Sequence, residues 1–249
     1  MDGSACPITY AGNRVAFFGG SFDPPHAGHL AVAHAARKAL ALDTVLFAPV
    51  GAQPLKPLGS TAPFADRIAM TGLAIAGEEG FALSAEDTPT DVGSPNYTID
   101  TLLHLHKRLA TGAVLFCLMG ADSFRNLHRW HRAAEIPFAA SLVVASRPGE
   151  PLGDLAEMMP EGVRLEHDGA EPDGLGAGVA EQTLKTYTVR NDLGGRAPFY
   201  VMPGVHMDIS ASQIREHLRK AQPNRSETAP LIDPAVAAYL EACALYRAG

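Results

Sequence analysis

The sequence predicts one α/β domain of Rossmann-like type: a doubly wound parallel sheet of about five or six strands with helices on both faces. Three observations carry this. Apolar runs of strand length recur along the chain, at 15–18 (VAFF), 44–50 (TVLFAPV), 113–119 (AVLFCLM), 141–145 (SLVVA) and 198–202 (PFYVM). The first two flank an alanine-rich segment, 31–42, without Gly or Pro, and strand, helix and strand within about forty residues make the βαβ unit of a parallel sheet. Between the first strand and that helix lies a turn bearing glycines and two histidines, FFGGSFDPPHAGHL. In open α/β sheets, ligands bind beyond the carboxyl end of a strand, at such a turn.

The composition agrees. With 249 residues, 47% apolar and 19% charged, the chain buries a sizeable core, and a single domain over 12–249 accounts for it. A net charge of −7 argues against a general nucleic-acid or anionic-membrane surface, so a phosphate site must be a local basic pocket. Cys6, Cys117 and Cys243 are far apart, odd in number and without zinc spacing, which fits a reducing compartment. The first ten residues lack the pattern of a secretory signal, and the longest apolar run is too short to span a bilayer. A cytoplasmic protein without membrane or nucleic-acid partners is expected; the sequence leaves a homo-oligomer open.

At the first turn, Gly19 and Gly20 let the backbone approach a ligand, and the free N–H groups opening the next helix favour an anion. His26 and His29 are three apart, on one face of the first helical turn. They suit a clamp for phosphate oxygens; one capping and one packed histidine fits the spacing equally well. A zinc site would need further ligands, and no Cys pair or carboxylate lies nearby at ligand spacing.

Downstream, 51–63 is rich in Pro and Gly and carries the single charge Lys56, so it is a loop overhanging the same cleft. A helix is expected over 64–76 and a short strand near 81–83. A helix start at Thr98, with Asp100 in its first turn, puts Tyr97 and Thr98 at the helix mouth. The strand 113–119 runs into Gly120-Ala121-Asp122, where Asp122 suits either an N-cap or a ribose or Mg²⁺ contact. Trp130 stands among Arg and His residues and suits either packing or stacking on a flat ring. The segment 150–197 is rich in Gly, Asp, Glu and Pro and reads as a flexible peripheral insertion, most linker-like at 169–178. Ser210 with Gln213 forms a capping box, and Arg215 sits in the second turn behind it. Asp233 caps a last helix with Pro234 in its first position.

The run Gly19 to Leu30 resembles, over twelve consecutive residues, the first signature of the HxGH nucleotidyltransferases, and within them of bacterial nicotinate-nucleotide adenylyltransferases. Ile-Ser-Ala-Ser-Gln-Ile-Arg-Glu, from Ile209, resembles the second signature, and Asn96-Tyr97-Thr98 the family's S-Y-T element with Asn in place of Ser. The family's loop histidine near residue 55 is missing, so Lys56 alone carries that resemblance. What the resemblance implies is transfer of AMP from ATP to nicotinate mononucleotide, giving deamido-NAD and pyrophosphate in NAD biosynthesis. ATP would then be held by Gly19, Gly20, Ser21, Phe22, His26 and His29, by Gly120 and Asp122, and by Ile209, Ser210, Ser212 and Arg215. His26, His29 and Arg215 would be catalytic. Nicotinate mononucleotide would meet Lys56, Tyr97, Thr98 and Trp130. Mg²⁺ would arrive on the phosphates, with no protein ligand assigned. A sister adenylyltransferase acting on phosphopantetheine or nicotinamide mononucleotide, or a non-catalytic nucleotide sensor, are the other readings.

Overall fold

The computed structural model describes residues 12–55, 59–89, 94–146, 155–166, 184–205, 210–219 and 231–247. Its strands are β1 (Arg14–Gly20), β2 (Thr44–Pro49), β3 (Phe81–Leu83), β4 (Val114–Gly120), β5 (Ser141–Ala145), β6 (Val163–Glu166), β7 (Lys185–Asn191) and β8 (Arg196–Met202). They form one sheet in the order β3-β2-β1-β4-β5-β8-β7-β6. The first six in that order pair in parallel. β7 and β6 add on antiparallel.

The sheet thus has eight strands, not five or six. The difference lies in 150–197, expected as a flexible insertion. Its described parts supply β6, β7 and the start of β8, and Val163 and Val189 are buried in the main core. In β7 (KTYTVRN) only Val189 is fully buried, so the segment carries no long apolar run. Its most linker-like piece, 169–178, lies outside the described residues.

Helices α1 (Ala27–Leu40), α2 (Phe64–Ala74), α3 (Thr98–Arg108), α4 (Ala121–Arg125), α5 (Ile136–Ala139), α6 (Ala211–Leu218) and α7 (Pro234–Ala242) complete the described fold. Alternation along β1 sends Val15 and Phe17 into one core, with residues of α3, α4 and α5. Ala16 and Phe18 go into the other, with α1. A third, smaller core unites α2 (Met70, Ala74), α6 (Ile214) and α7 (Val236, Leu240) with Tyr246. No helix among the described residues is long and apolar enough to cross a membrane.

The chain leaves β1 toward β2 on one side, and β4 lies on the other, so the strand order reverses between β1 and β4. A crevice opens there beyond the carboxyl ends of the strands, as this topology dictates.

Candidate active site

The cleft has a volume of about 1010 Å³. The turn from β1 to α1 contributes Gly19, Gly20, Ser21, Phe22, His26 and His29 to its wall. Gly120 and Asp122 come from the end of β4, and Tyr97 and Thr98 from the mouth of α3, with Trp130 beside them. The start of α6 brings Ser210, Ser212 and Arg215. Of the residues expected to bind ATP or the acceptor, Lys56 and Ile209 lie outside the described residues; the others all line this one cleft.

The histidine turn is built tightly. His26 is the N-cap of α1 in extended backbone, and its N–H donates to Nδ1 of His29 at 3.2 Å. With Nδ1 accepting, the proton of neutral His29 is on Nε2. The two rings lie 3.8 Å apart between centroids. Protonating both would set like charges side by side, and each ring is also largely desolvated. Burial therefore pushes His26 down to about 4. Burial, and then the neighbouring His26, push His29 well below the ordinary histidine value. Among the described residues, Nδ1 of His26 is buried without a hydrogen-bond partner. A nitrogen in that state on a cleft wall suits a ligand oxygen.

Phe22 adopts φ +46°, the left-handed region that side chains disfavour. Its ring, 1% exposed, stands edge-on to Phe18 at 5.6 Å and to His29 at 4.9 Å, so packing holds the strained turn. The glycines divide in role. A Cβ on Gly19 would sit 2.8 Å from the Phe17 ring, and one on Gly20 3.2 Å from the Phe22 ring. Their smallness serves internal packing, and both also line the cleft. A Cβ on Gly120 would meet nothing within 4 Å, so there the backbone does face open cleft.

Two residues not singled out in the sequence hold the turn. Arg67 on α2 is 1% exposed, with Nη1 donating to the Ser21 carbonyl at 2.8 Å, Nη2 to Val50 at 2.7 Å and Nε to Ala62 at 3.3 Å. Asp23 accepts from the Thr61 N–H through Oδ2 at 2.6 Å and from the Ala62 N–H through Oδ1 at 3.0 Å. Its Oδ1 also takes the Tyr246 hydroxyl at 2.6 Å. Arg215 arrives from the second signature with Nη1 on the Asp23 carbonyl at 2.6 Å and Nη2 on Ser212 Oγ at 3.1 Å. The Ser210–Gln213 capping box forms as expected.

At the other end, Tyr97 is the N-cap of α3 and stacks on His131 with ring centroids 4.2 Å apart. Trp130 follows a 3-10 turn, Leu127–Arg129, and is half-buried, packed against the core on one side. Asn96, the departure from the family's serine, accepts the Ala52 N–H at 2.9 Å and donates to the Thr88 carbonyl at 3.0 Å. It thereby ties together the loops that follow β2 and β3. Asp87 lines the same cleft, is almost wholly buried and accepts the Thr101 hydroxyl. Burial raises its carboxyl to about 6. Cys117, expected as a small core residue, is 2% exposed, and burial raises its thiol to about 12, far from a nucleophile.

The carboxylates of the cleft bear on metal chemistry. Among the described residues no three of His, Cys, Asp and Glu converge on one point. Both oxygens of Asp23 are engaged, and Asp122 holds Arg125 at 2.8 Å.

Comparison with known proteins agrees with this geometry. The family model described as "Cytidylyltransferase-like" matches residues 17–217. A relative named "Probable nicotinate-nucleotide adenylyltransferase" from Pelobacter propionicus is 34% identical, covering 94% of this chain and 98% of its own. Another of that name from Roseiflexus sp. is 35% identical over 94% and 98%. Among solved structures, Plasmodium falciparum nicotinic acid mononucleotide adenylyltransferase complexed with NaAD superposes with a TM-score of 0.65 over 94% of this chain and 98% of that one. At 15% identity it speaks for the fold alone. With both signature segments on one cleft and these relatives matched along nearly their whole length, the chain belongs to the cytidylyltransferase-like superfamily and, within it, to the nicotinate-nucleotide adenylyltransferases.

Proposed function

We infer that the protein transfers AMP from ATP to nicotinate mononucleotide, giving deamido-NAD and pyrophosphate. The observation that carries this reading is the meeting of the two signature segments: Arg215 bonds the carbonyl of Asp23, three residues before His26.

The chemistry suits those groups. The acceptor's phosphate is already an anionic nucleophile, so no general base is required. The barrier is charge repulsion and alignment, which positioning and electrostatic stabilisation lower. In this reading the Nε2–H of His29 and the imidazole of His26 meet phosphate oxygens around the α-phosphorus. They do so as neutral donors at pH 7, because burial keeps both rings unprotonated before the triphosphate arrives. Ser212 and Arg215 are the groups for the β- and γ-phosphates. Asp122 and the bare backbone at Gly120 suit the ribose.

The sparse set of cleft carboxylates fits Mg²⁺ bound through phosphate oxygens and water, the mode this ion favours with nucleotides. When bound, it neutralises phosphate charge. Tyr97, Thr98 and Trp130 shape the pocket for the pyridine ring, with the Trp130 indole as its stacking face.

Incubation with ATP, Mg²⁺ and nicotinate mononucleotide, followed by mass identification of the products, tests the reading. Deamido-NAD and pyrophosphate in equal amounts are expected. Pyrophosphate release only with phosphopantetheine, or with no acceptor at all, would overturn it.

A further inference from the structure

The phosphate end of the cleft is backed by the third core, and the last described turn of the chain closes that core. After α7, Ala244 and Tyr246 adopt φ +51° and +61°, two left-handed residues on either side of Leu245 that turn the chain sharply. Tyr246 is 7% exposed and packs with Met70 of α2 and Ile214 of α6. Those two helices carry Arg67 and Arg215, which grip the signature turn at the carbonyls of Ser21 and Asp23. The Tyr246 hydroxyl reaches the same turn, donating to Oδ1 of Asp23 at 2.6 Å. One buried carboxylate thus gathers the backbone of Thr61 and Ala62 and the far end of the chain.

We propose that Tyr246 is a positioning residue for AMP transfer: through Asp23, its hydroxyl fixes the distance between the histidine turn and Arg215. The proposal rests on the reading of the cleft as an adenylyltransferase site. Burial, and the neighbouring Asp23 carboxylate, raise the phenol far above its ordinary value, so it remains a proton donor at any working pH. Removing that donor leaves Asp23 its two backbone partners but frees the turn to shift relative to α6. Small displacements of positioned groups are what phosphoryl-type transfer tolerates least.

The helix just before it supplies an internal control. Tyr239 of α7 donates its hydroxyl to Oδ1 of Asp66 on α2 at 2.8 Å, likewise a bond from tyrosine to carboxylate. It does not touch the signature turn. Tyr246→Phe and Tyr239→Phe should each lower the melting temperature by a similar small amount, roughly 2–4 °C. Only Tyr246→Phe should lower kcat for pyrophosphate release, by about tenfold. Its ATP-induced rise in melting temperature should also fall below that of Tyr239→Phe and the parent.

Equal kinetics for the two variants would overturn the proposal, as would a Tyr246→Phe protein that fails to fold while Tyr239→Phe folds, because the hydroxyl would then be a folding determinant only. If the parent itself makes no dinucleotide, the functional reading fails separately. The ATP-induced shift, compared across the three proteins, then decides the inference alone: a smaller shift in Tyr246→Phe upholds it and equal shifts overturn it.

Discussion

At the phosphate end of the cleft, Arg67 gives its hydrogen bonds to three backbone carbonyls and Asp23 receives the Tyr246 hydroxyl and two N–H groups, all nearly out of solvent. At the acceptor end, Tyr97, Thr98 and Trp130 are all only half-buried. There the fastening lies in the supporting loops and α3 instead. Asn96 ties two loops, Thr101 bonds Asp87, and Glu86 pairs with His104 at 3.1 Å and with Arg108. The contrast follows the chemistry. Charge developing at phosphorus is best met by groups fixed before the reaction starts. A flat acceptor ring needs a face to lie on and a few matched polar atoms.

This division predicts different kinetic signatures for the two ends. The largest effect should come from His29→Ala, which removes a prepositioned donor and should lower kcat on the order of a hundredfold or more. The melting temperature should fall by only a few degrees, for the lost bond from the His26 N–H and the lost edge against Phe22, a far smaller effect than that on kcat. A turnover within threefold of the parent would make His29 a packing residue.

Next in size is the choice of acceptor. Backbone donors near Thr98 and Trp130 that satisfy a carboxylate would face the NH₂ of a carboxamide. Each unmatched buried contact costs roughly 1–3 kcal/mol, so kcat/KM should favour nicotinate over nicotinamide mononucleotide by at least about a hundredfold. Equal use of the two would remove the pocket assignment. Trp130→Ala should raise KM for nicotinate mononucleotide roughly tenfold, as expected for loss of one stacking face, and leave KM for ATP nearly alone. A raised KM for ATP instead would place the indole at the wrong end.

The smallest effect is one of stability with pH. His26 titrates at about 4 when folded against 6.5 when unfolded. The unfolded chain therefore takes up protons that the folded one refuses, and stability falls as pH drops from 6.5 toward 4. His29 acts in the same direction. Asp87 acts oppositely: its folded value is about 6 against 3.8, so stability is lost as pH rises through 6. Asn at this position keeps an oxygen for Thr101 and carries no charge. Asp87→Asn should therefore match the parent near pH 4 and exceed it near pH 7 by about 1–3 kcal/mol, read from melting temperatures at both pH values. A variant less stable than the parent at pH 7 would contradict the buried carboxylate.

The central parallel strands of the sheet were legible in the sequence because they are covered on both faces. β2 is buried at every position and β5 likewise, and such strands read as unbroken apolar runs. β6 and β7 are antiparallel additions at the sheet edge with mostly half-exposed residues, so composition hid them. The two histidines and Arg215 could be found because short segments carry them. Arg67 left a signal that periodicity could have caught: it falls on the buried stripe of α2 with Met70, Thr71 and Ala74, where a cation has no reason to be unless carbonyls await it. Asp23 and Tyr246 are 223 positions apart, and no local pattern announces their bond.

Whether the two ends act separately is the claim on which the account turns, and a double-mutant cycle on His29 and Trp130 measures it directly. Initial rates of pyrophosphate release, with ATP and nicotinate mononucleotide both varied, give kcat/KM for the parent, His29→Ala, Trp130→Ala and the double variant. Independent sites have effects that add in free energy within about 0.5 kcal/mol, so the fold losses of the single variants should multiply in the double variant. A double variant no worse than His29→Ala alone would contradict the division of the cleft into two ends.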